Sequence, residues 1–301
     1  METKKRAVAL GLFDGVHLGH RAVLDIALKQ EKNGLQPAVF TFNPTAVLRK
    51  TSGKDGYIYT HIHKYETLWK YGRYKEYGFG FYAINSVQFE ELCGISGKEF
   101  AENILVKKLN AEIVCCGNDF RFGKNASCGV EDLRAFGKKY GFEVQTAEAV
   151  KINNIIVSSG EIRRCLVNGE IEKANTLLGE PYNIYTTVVH GNKIGRTINF
   201  PTINQNYSKG QLVLKYGVYF TTTYINNKKY KSITNIGVKP TIAGKRTPLA
   251  ETHILDFSGN LYGKNIKVEF NKFIRPEMKF SSVEELREQI SRDIAEVRSF
   301  M

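Results

Sequence analysis

Arg6-Ala7-Val8-Ala9-Leu10-Gly11-Leu12-Phe13-Asp14-Gly15-Val16-His17-Leu18-Gly19-His20 runs from a short β-type segment through a glycine-rich turn into a helical stretch. In a parallel α/β sheet that junction is a phosphate-binding location. The amide hydrogens at the helix start are unpaired by the helix itself, and the positive end of the helix dipole favours an anion. Gly15 and Gly19 let a ligand approach the backbone without a Cβ in the way. His17 and His20, three residues apart across the helix start, can both donate hydrogen bonds to phosphoryl oxygens as charge develops on them. Two other readings are a capped helix with incidental histidines and half of a zinc site. The second lacks Cys or acidic partners at ligand spacing.

Outward from this junction, residues 6–178 alternate β-type runs with amphipathic helical stretches, the pattern of a parallel sheet covered by helices. Strands are predicted over 7–10, 38–42, 80–84, 113–116 and 142–146, and helices over 20–32, 61–71, 98–109 and 131–140. Gly34, Gly72 and Gly141 follow three of those helices as stops. After Leu177-Leu178-Gly179-Glu180-Pro181 the texture changes to β-branched and aromatic runs at 184–189, 218–224, 233–236, 251–257 and 266–270. Asn226-Asn227 separates two of them as a hairpin turn would, and 281–297 reads as a closing helix with a Ser282-x-x-Glu285 capping box. The expected architecture is an α/β Rossmann-like domain over 1–181 and a small antiparallel β-barrel with a terminal helix over 182–301.

Composition agrees with two folded domains: 301 residues, 42% hydrophobic and 24% charged. No apolar run reaches the roughly 18 to 20 residues of a membrane-spanning helix, and the basic start Lys4-Lys5-Arg6 leads into only four apolar residues. A cytoplasmic protein without membrane attachment is expected. The five cysteines form no Cys-x-x-Cys pair, so they read as reduced packing residues. A net charge of +13 favours phosphorylated partners. Lys and Arg are scattered, with no basic block or groove pattern, so nucleic acid is not an expected partner. Oligomeric state is not readable.

Five further segments carry chemistry. In Gly117-Asn118-Asp119-Phe120-Arg121-Phe122-Gly123, two glycines bracket Asn118, Asp119 and Arg121 at the carboxyl end of a strand, where open α/β sheets bind ligands. In Ser158-Ser159-Gly160-Glu161-Ile162-Arg163, two hydroxyls and Arg163 stand at a helix start, with capping-box spacing between Ser158 and Glu161. In 190–204, Gly191 and Gly195 allow a loop to wrap phosphates, with His190 at its start and Lys193 or Arg196 to offset their charge. The Thr202 hydroxyl and the Asn204 carbonyl that follow are oxygen ligands suited to a hard magnesium ion. Glu251, His253 and Asp256 are carboxylate and imidazole bases in one later segment, and Arg275 begins Arg275-Pro276-Glu277-Met278-Lys279-Phe280.

The decamer 11–20 resembles the signature of the HIGH-motif nucleotidyltransferases, and its Phe-Asp-Gly-x-His form is similar to the FMN adenylyltransferase domain of bacterial bifunctional FAD synthetases. The 190–204 segment resembles the glycine loop and Phe-Pro-Thr-x-Asn motif of riboflavin kinases, and the segments at 235–241, 251–257 and 275–280 continue that likeness in order. The resemblance implies two ATP-dependent steps, riboflavin to FMN and FMN to FAD. It assigns Glu251, His17, His20 and Arg163 to catalysis, and Thr202 and Asn204 to Mg2+. Gly11, Phe13, Asp14, Gly15, Gly19, Ser158, Ser159, His190, Gly191, Lys193, Gly195 and Arg196 would then contact ATP or ADP, and Asn118, Asp119, Arg121 and Arg275 the flavin.

The chain departs from the family pattern in three places. Phe42-Asn43-Pro44-Thr45-Ala46 stands where the family usually has Phe-x-Pro-His-Pro, and Gly160-Glu161 where it usually has Thr-x. Asn199 replaces a glycine in the kinase loop. Adenylyl transfer is therefore expected to be the weaker step. A kinase whose N-terminal half is only a scaffold or flavin sensor is one rival reading, and a basic RNA-binding regulator is another.

Overall fold

The computed structural model describes residues 4–43, 56–73, 80–191, 194–240 and 246–300. They form two compact units, 1–161 and 162–301. In the first, strands β1 (Arg6–Leu10), β2 (Gln36–Phe42), β3 (Ala83–Val87), β4 (Ala111–Gly117) and β5 (Glu143–Ala147) make one sheet in the order β3-β2-β1-β4-β5. Every neighbouring pair is parallel. Helices α1 (Leu18–Lys29), α2 (His61–Arg73), α3 (Gly97–Glu99, continuing over Phe100–Lys108 as a π-helix) and α4 (Val130–Tyr140) occur between strands. Alternation along β1 explains the layering. Ala7 and Ala9 enter the core that contains α1, whereas Val8 and Leu10 enter the core of α3 and α4.

One predicted strand is displaced. The run expected over 80–84 begins instead at Ala83, because Gly80 adopts a φ of +83° and is pressed against the Gly72 backbone while Phe81 turns into the core. A two-strand ribbon, β6 (Lys151–Ile152) and β7 (Ile155–Ile156), precedes helix α5 (Ser159–Asn168), within which the two units divide.

The second unit is a closed antiparallel barrel ordered β10-β11-β12-β9-β8-β13. Its strands are β8 (Asn183–Val189), β9 (Thr202–Asn206), β10 (Gly217–Ile225), β11 (Lys228–Pro240), β12 (Arg246–Ile254) and β13 (Asn265–Arg275). Asn226 and Asn227 have φ of +49° and +63°, which gives β10 and β11 the two-residue turn their register requires. Helix α6 (Ile171–Leu178) packs with this unit through Asn175, which donates to the Phe270 carbonyl and accepts from the Tyr182 amide, both at 2.8 Å. The units accordingly divide earlier than the 181/182 boundary expected from composition.

Inside the barrel, Thr221, Thr223, Ser232, Thr234 and Thr252 are fully buried and satisfy one another through a chain of hydroxyl contacts at 2.7 to 3.2 Å. A short helix, α7 (Ile194–Thr197), lies in the loop before β9, and α8 (Val283–Ser299) closes the chain. Ser282 Oγ caps α8 by accepting from the Glu285 amide at 3.1 Å, while the Glu285 carboxylate reaches one residue further than a capping box, to the Ser281 amide and hydroxyl.

Candidate functional sites

The strand order of the first unit reverses between β1 and β4, so the carboxyl ends of those strands border the crevice in which open α/β sheets bind ligands. The chain leaves β1 through an unusually constrained turn. Phe13, Gly15 and Val16 all have positive φ, of +50°, +81° and +44°. For a β-branched residue this is strain on the order of 1 to 3 kcal/mol. Complete burial of Phe13 and Val16 and a 3.2 Å bond from the Val16 amide to the Phe13 carbonyl hold it. The Asp14 carboxylate is also buried, accepting from the amides of Ile58 at 3.0 Å and Tyr59 at 3.3 Å. Phe13 and Asp14 thus shape the loop from within.

His17 is the N-cap of α1: its Nδ1 accepts from the His20 amide at 3.3 Å. Nε2 lies 3.1 Å from Ser159 Oγ, and that hydroxyl donates to the Asp14 carbonyl at 3.1 Å. With Nδ1 accepting and the serine hydrogen committed, His17 Nε2–H must be the donor, so the relay fixes the neutral tautomer. The His20 ring stacks on His17 with centroids 3.6 Å apart. Gly19 packs closely there, since a Cβ would come within 3.1 Å of the Val157 carbonyl and 3.2 Å of the His17 ring. Ser158 Oγ accepts from the Glu161 amide at 3.2 Å, which is one half of the expected capping box. Arg163 follows on α5 and is buried.

Asn118, Asp119 and Arg121 sit exposed beyond β4, with Arg121 Nε donating to the Ala126 carbonyl at 3.0 Å. Pro44, Thr45 and Ala46 lie outside the described residues. Lys64, which nothing in the sequence singled out, is almost wholly buried beneath the turn. Burial pushes its pKa down to about 8, although the Asp14 carboxylate pulls the other way. A lone lysine on an amphipathic helix carries no signal of this; only the turn and the end of β2 closing over it bury the ammonium.

In the second unit, Phe200-Pro201 leads into strand β9, which contains Thr202 and Asn204 and is not among the runs that the sequence predicts as strands. Strand pairing then decides the site. Thr202 faces His253 and Asn204 faces Glu251 across β9 and β12. Directly opposed residues project to the same side of a sheet, and i and i+2 share a face, so these four make one patch. Thr252 points into the barrel, so the patch is on the outer face. Gly191 lies flat on Asn204, where a Cβ would come within 2.5 to 2.7 Å of the side-chain amide. Gly195 abuts the Phe200 carbonyl, which a Cβ would meet at 2.3 Å. Asn199 has a φ of +66°, the left-handed conformation that asparagine tolerates best after glycine, so the loop keeps a glycine-like turn.

Asn204 Oδ1 is buried without a hydrogen-bond partner among the described residues. A buried oxygen left without a partner, beside a threonine hydroxyl position on the same face, fits a hard divalent cation. Among the described residues no three His, Cys, Asp or Glu side chains cluster as a transition-metal site. His190 stacks on Tyr262 with centroids 4.0 Å apart. Lys193 lies outside the described residues, as does the side chain of Arg196.

The other two bases of β12 and its turn are engaged. His253 Nδ1 is 2.8 Å from the Pro201 carbonyl and must donate to it. Asp256 accepts two bonds from Arg298, which hold its pKa below the usual carboxylate range. Arg275 is bound to Asp293 of α8 through Nε and Nη2 at 2.7 to 3.1 Å and to the Pro276 carbonyl through Nη1, and so clamps the terminal helix to the end of β13.

Comparison with known proteins places both units. Residues 1–161 match the FAD synthetase family model, and residues 178–301 match the riboflavin kinase family model. A bifunctional riboflavin kinase/FMN adenylyltransferase of Buchnera aphidicola is 37% identical over 98% of this chain and 93% of its own length. The chain belongs to the bifunctional riboflavin kinase/FMN adenylyltransferase family. Members from Listeria monocytogenes and Escherichia coli K12, carrying the same description, are 37% and 34% identical over 98% and 97% of this chain. A solved structure described as a macrolide-efflux protein from Streptococcus pneumoniae superposes on the whole chain with a TM-score of 0.85 at 29% identity. Because this family member matches both family models, the kinase-only reading is not favoured. Among the described residues no helix is long and apolar enough to cross a membrane.

Proposed function

We propose that the second unit phosphorylates riboflavin to FMN with ATP, and that the first adenylylates FMN to FAD with a second ATP. The observation that carries the kinase half is the pairing of Glu251 with Asn204, which sets a carboxylate beside a buried, unpartnered oxygen under the glycine loop. The Glu251 carboxylate takes the proton of the riboflavin 5′-hydroxyl as that oxygen bonds to the γ-phosphorus, and the bond from that phosphorus to the ADP oxygen breaks. Thr202 and Asn204 would hold a magnesium ion, which would offset charge on the nucleotide phosphates. In the first unit a phosphate oxygen of FMN attacks the α-phosphorus of ATP and pyrophosphate leaves. His20 donates to the oxygens on which charge grows, and His17 joins it when its Nε2–H turns from Ser159 Oγ to the phosphate. Neither step forms a covalent bond to the protein. Ser159 acts through His17, and Asn118, Asp119 and Arg121 would contact the flavin. Free cytoplasmic flavins and ATP are the partners, with no role for nucleic acid or membrane.

Chromatography of riboflavin, FMN and FAD after incubation with ATP and Mg2+ tests the reading: FMN should form first and FAD from it. RNA that binds tightly and in a salt-sensitive manner would favour the regulator instead. Thr202→Ala is expected to weaken magnesium-dependent ADP binding by about tenfold, a loss of about 1.4 kcal/mol. Calorimetry with and without Mg2+ checks this, and an unchanged affinity counts against the metal assignment.

FAD formation is expected to be slower than FMN formation, with Gly160 and Glu161 as part of the cause. Glu161 brings negative charge to the first turn of α5, and Gly160 offers no hydroxyl. A threonine fits at 160, since its Cβ would meet only Ser158 Oγ at 3.9 Å. Gly160→Thr with Glu161→Arg is therefore expected to raise FAD synthesis by about fivefold, the worth of about 1 kcal/mol. Equal rates of the two steps in the unmodified chain would sink the impairment reading.

A further inference from the structure

Lys64 has no part in the chemistry above, yet only 2% of it is exposed. An ammonium carries three donors and no acceptor. Three oxygens receive them: the Leu12 carbonyl at 3.0 Å, Thr41 Oγ1 at 3.1 Å and the Phe42 carbonyl. These acceptors belong to the two segments that leave the neighbouring strands β1 and β2 at their carboxyl ends. Thr41 Oγ1 donates onward to the Leu12 carbonyl at 3.0 Å, closing a triangle of ammonium, hydroxyl and carbonyl. Leu12 immediately precedes the strained turn at Phe13, and Phe42 is the root of the altered 42–46 motif. The same loop is gripped a second time where Asp14 binds the amides of Ile58 and Tyr59, just ahead of the helix that carries Lys64. A buried ammonium is an expensive way to stabilise a fold, and an apolar side chain of similar volume would usually serve better. Its distinctive product here is position.

We propose that Lys64 is a positioning residue for adenylyl transfer, its ammonium fixing the Leu12 and Phe42 carbonyls so that the loop leading to His17 and His20 keeps its geometry at the carboxyl edge of the sheet. The proposal rests on the adenylyltransferase reading. Among the described residues, the charged groups that act on or feel Lys64 are Asp14 from the turn and His61 on its own helix, whose pKa burial and Lys64 both lower; Tyr57, which also feels Asp14, is raised by burial and by that carboxylate. As Lys64 deprotonates near pH 8, two donors remain for three oxygens, and the triangle loosens. Between the folded pKa and the unfolded value near 10.5 the unfolded chain binds more protons, so this group makes folding more favourable as pH rises. A fall in FAD synthesis through about pH 8 would therefore reflect lost positioning and not unfolding driven by Lys64.

The test measures FMN-to-FAD turnover in the full chain, with riboflavin-to-FMN turnover in the same protein as the internal control. Lys64→Met is expected to lower kcat for FAD formation tenfold to a hundredfold, the scale of misplacing a catalytic group by about 1 Å. KM for ATP and FMN should move less than about threefold, and the kinase rate should be unchanged. The unmodified chain should lose FAD synthesis as pH rises through about 8, and Lys64→Met should lack that step. A kcat within twofold of the unmodified chain overturns the proposal, as does a rise in KM alone or a pH step that survives in Lys64→Met. Should Lys64→Met fail to fold in its first unit, Thr41→Val removes one of the three acceptors and decides by the same kcat criterion. No FAD from the unmodified chain at any pH overturns this proposal together with the reading beneath it, whereas FAD formation indifferent to Lys64 and Thr41 overturns this one alone.

Discussion

Glu251→Gln is expected to reduce FMN formation from riboflavin by about a thousandfold, within the range that a general base contributes. The substitution keeps the shape of the side chain and removes the proton acceptor. Of the other bases in this segment, the Asp256 carboxylate is paired with Arg298, and His253, whose Nδ1 donates to the Pro201 carbonyl, faces Thr202 and not Asn204 across the sheet. Glu251 lies on the outer face of β12, so the hydroxyl ladder inside the barrel is untouched and the melting temperature should stay within a few degrees. Single-turnover conversion of riboflavin to FMN measures the loss directly. FAD formation from added FMN serves as the control, since it should be unchanged. Near wild-type kinase turnover would remove Glu251 from the mechanism.

His17→Ala and His20→Ala are each expected to lower FAD synthesis by about a hundredfold, since one hydrogen bond to a developing charge is worth about 3 kcal/mol. FMN synthesis should not change. The structure separates two consequences at position 17. His17 Nδ1 caps α1, so its loss also costs about 1 kcal/mol of helix stability, whereas Nε2–H, which rests on Ser159 Oγ, is the donor that turns to the phosphate. His17→Asn retains a capping acceptor and should recover the stability without the activity. Thermal unfolding of the variants beside steady-state FAD formation distinguishes the two effects. Equal loss of FMN and FAD synthesis would point to misfolding or to a single shared site.

The sequence by itself determined the class of both units. Periodicity is a local property, and the change from alternating strand and helix patterns to β-branched runs after Pro181 is visible without coordinates. Glycines before a helix and a double histidine also carry their chemistry locally, so the turn after β1 was legible, as was the Asn226-Asn227 hairpin. What the tertiary structure decided depends on partners distant in the chain. Thr202-Ile203-Asn204 is a strand because β8 and β12 take up its backbone groups, and that pairing brings Asn204 opposite Glu251. Asn199 keeps the kinase loop because its backbone can enter the left-handed region, a property of φ that a comparison of side chains does not contain. Arg275 is held by Asp293, eighteen residues later in the chain, and Lys64 by oxygens on two strand ends. A charged side chain reads as solvated until the fold removes the water around it, and only then do its charge and its partners acquire their weight.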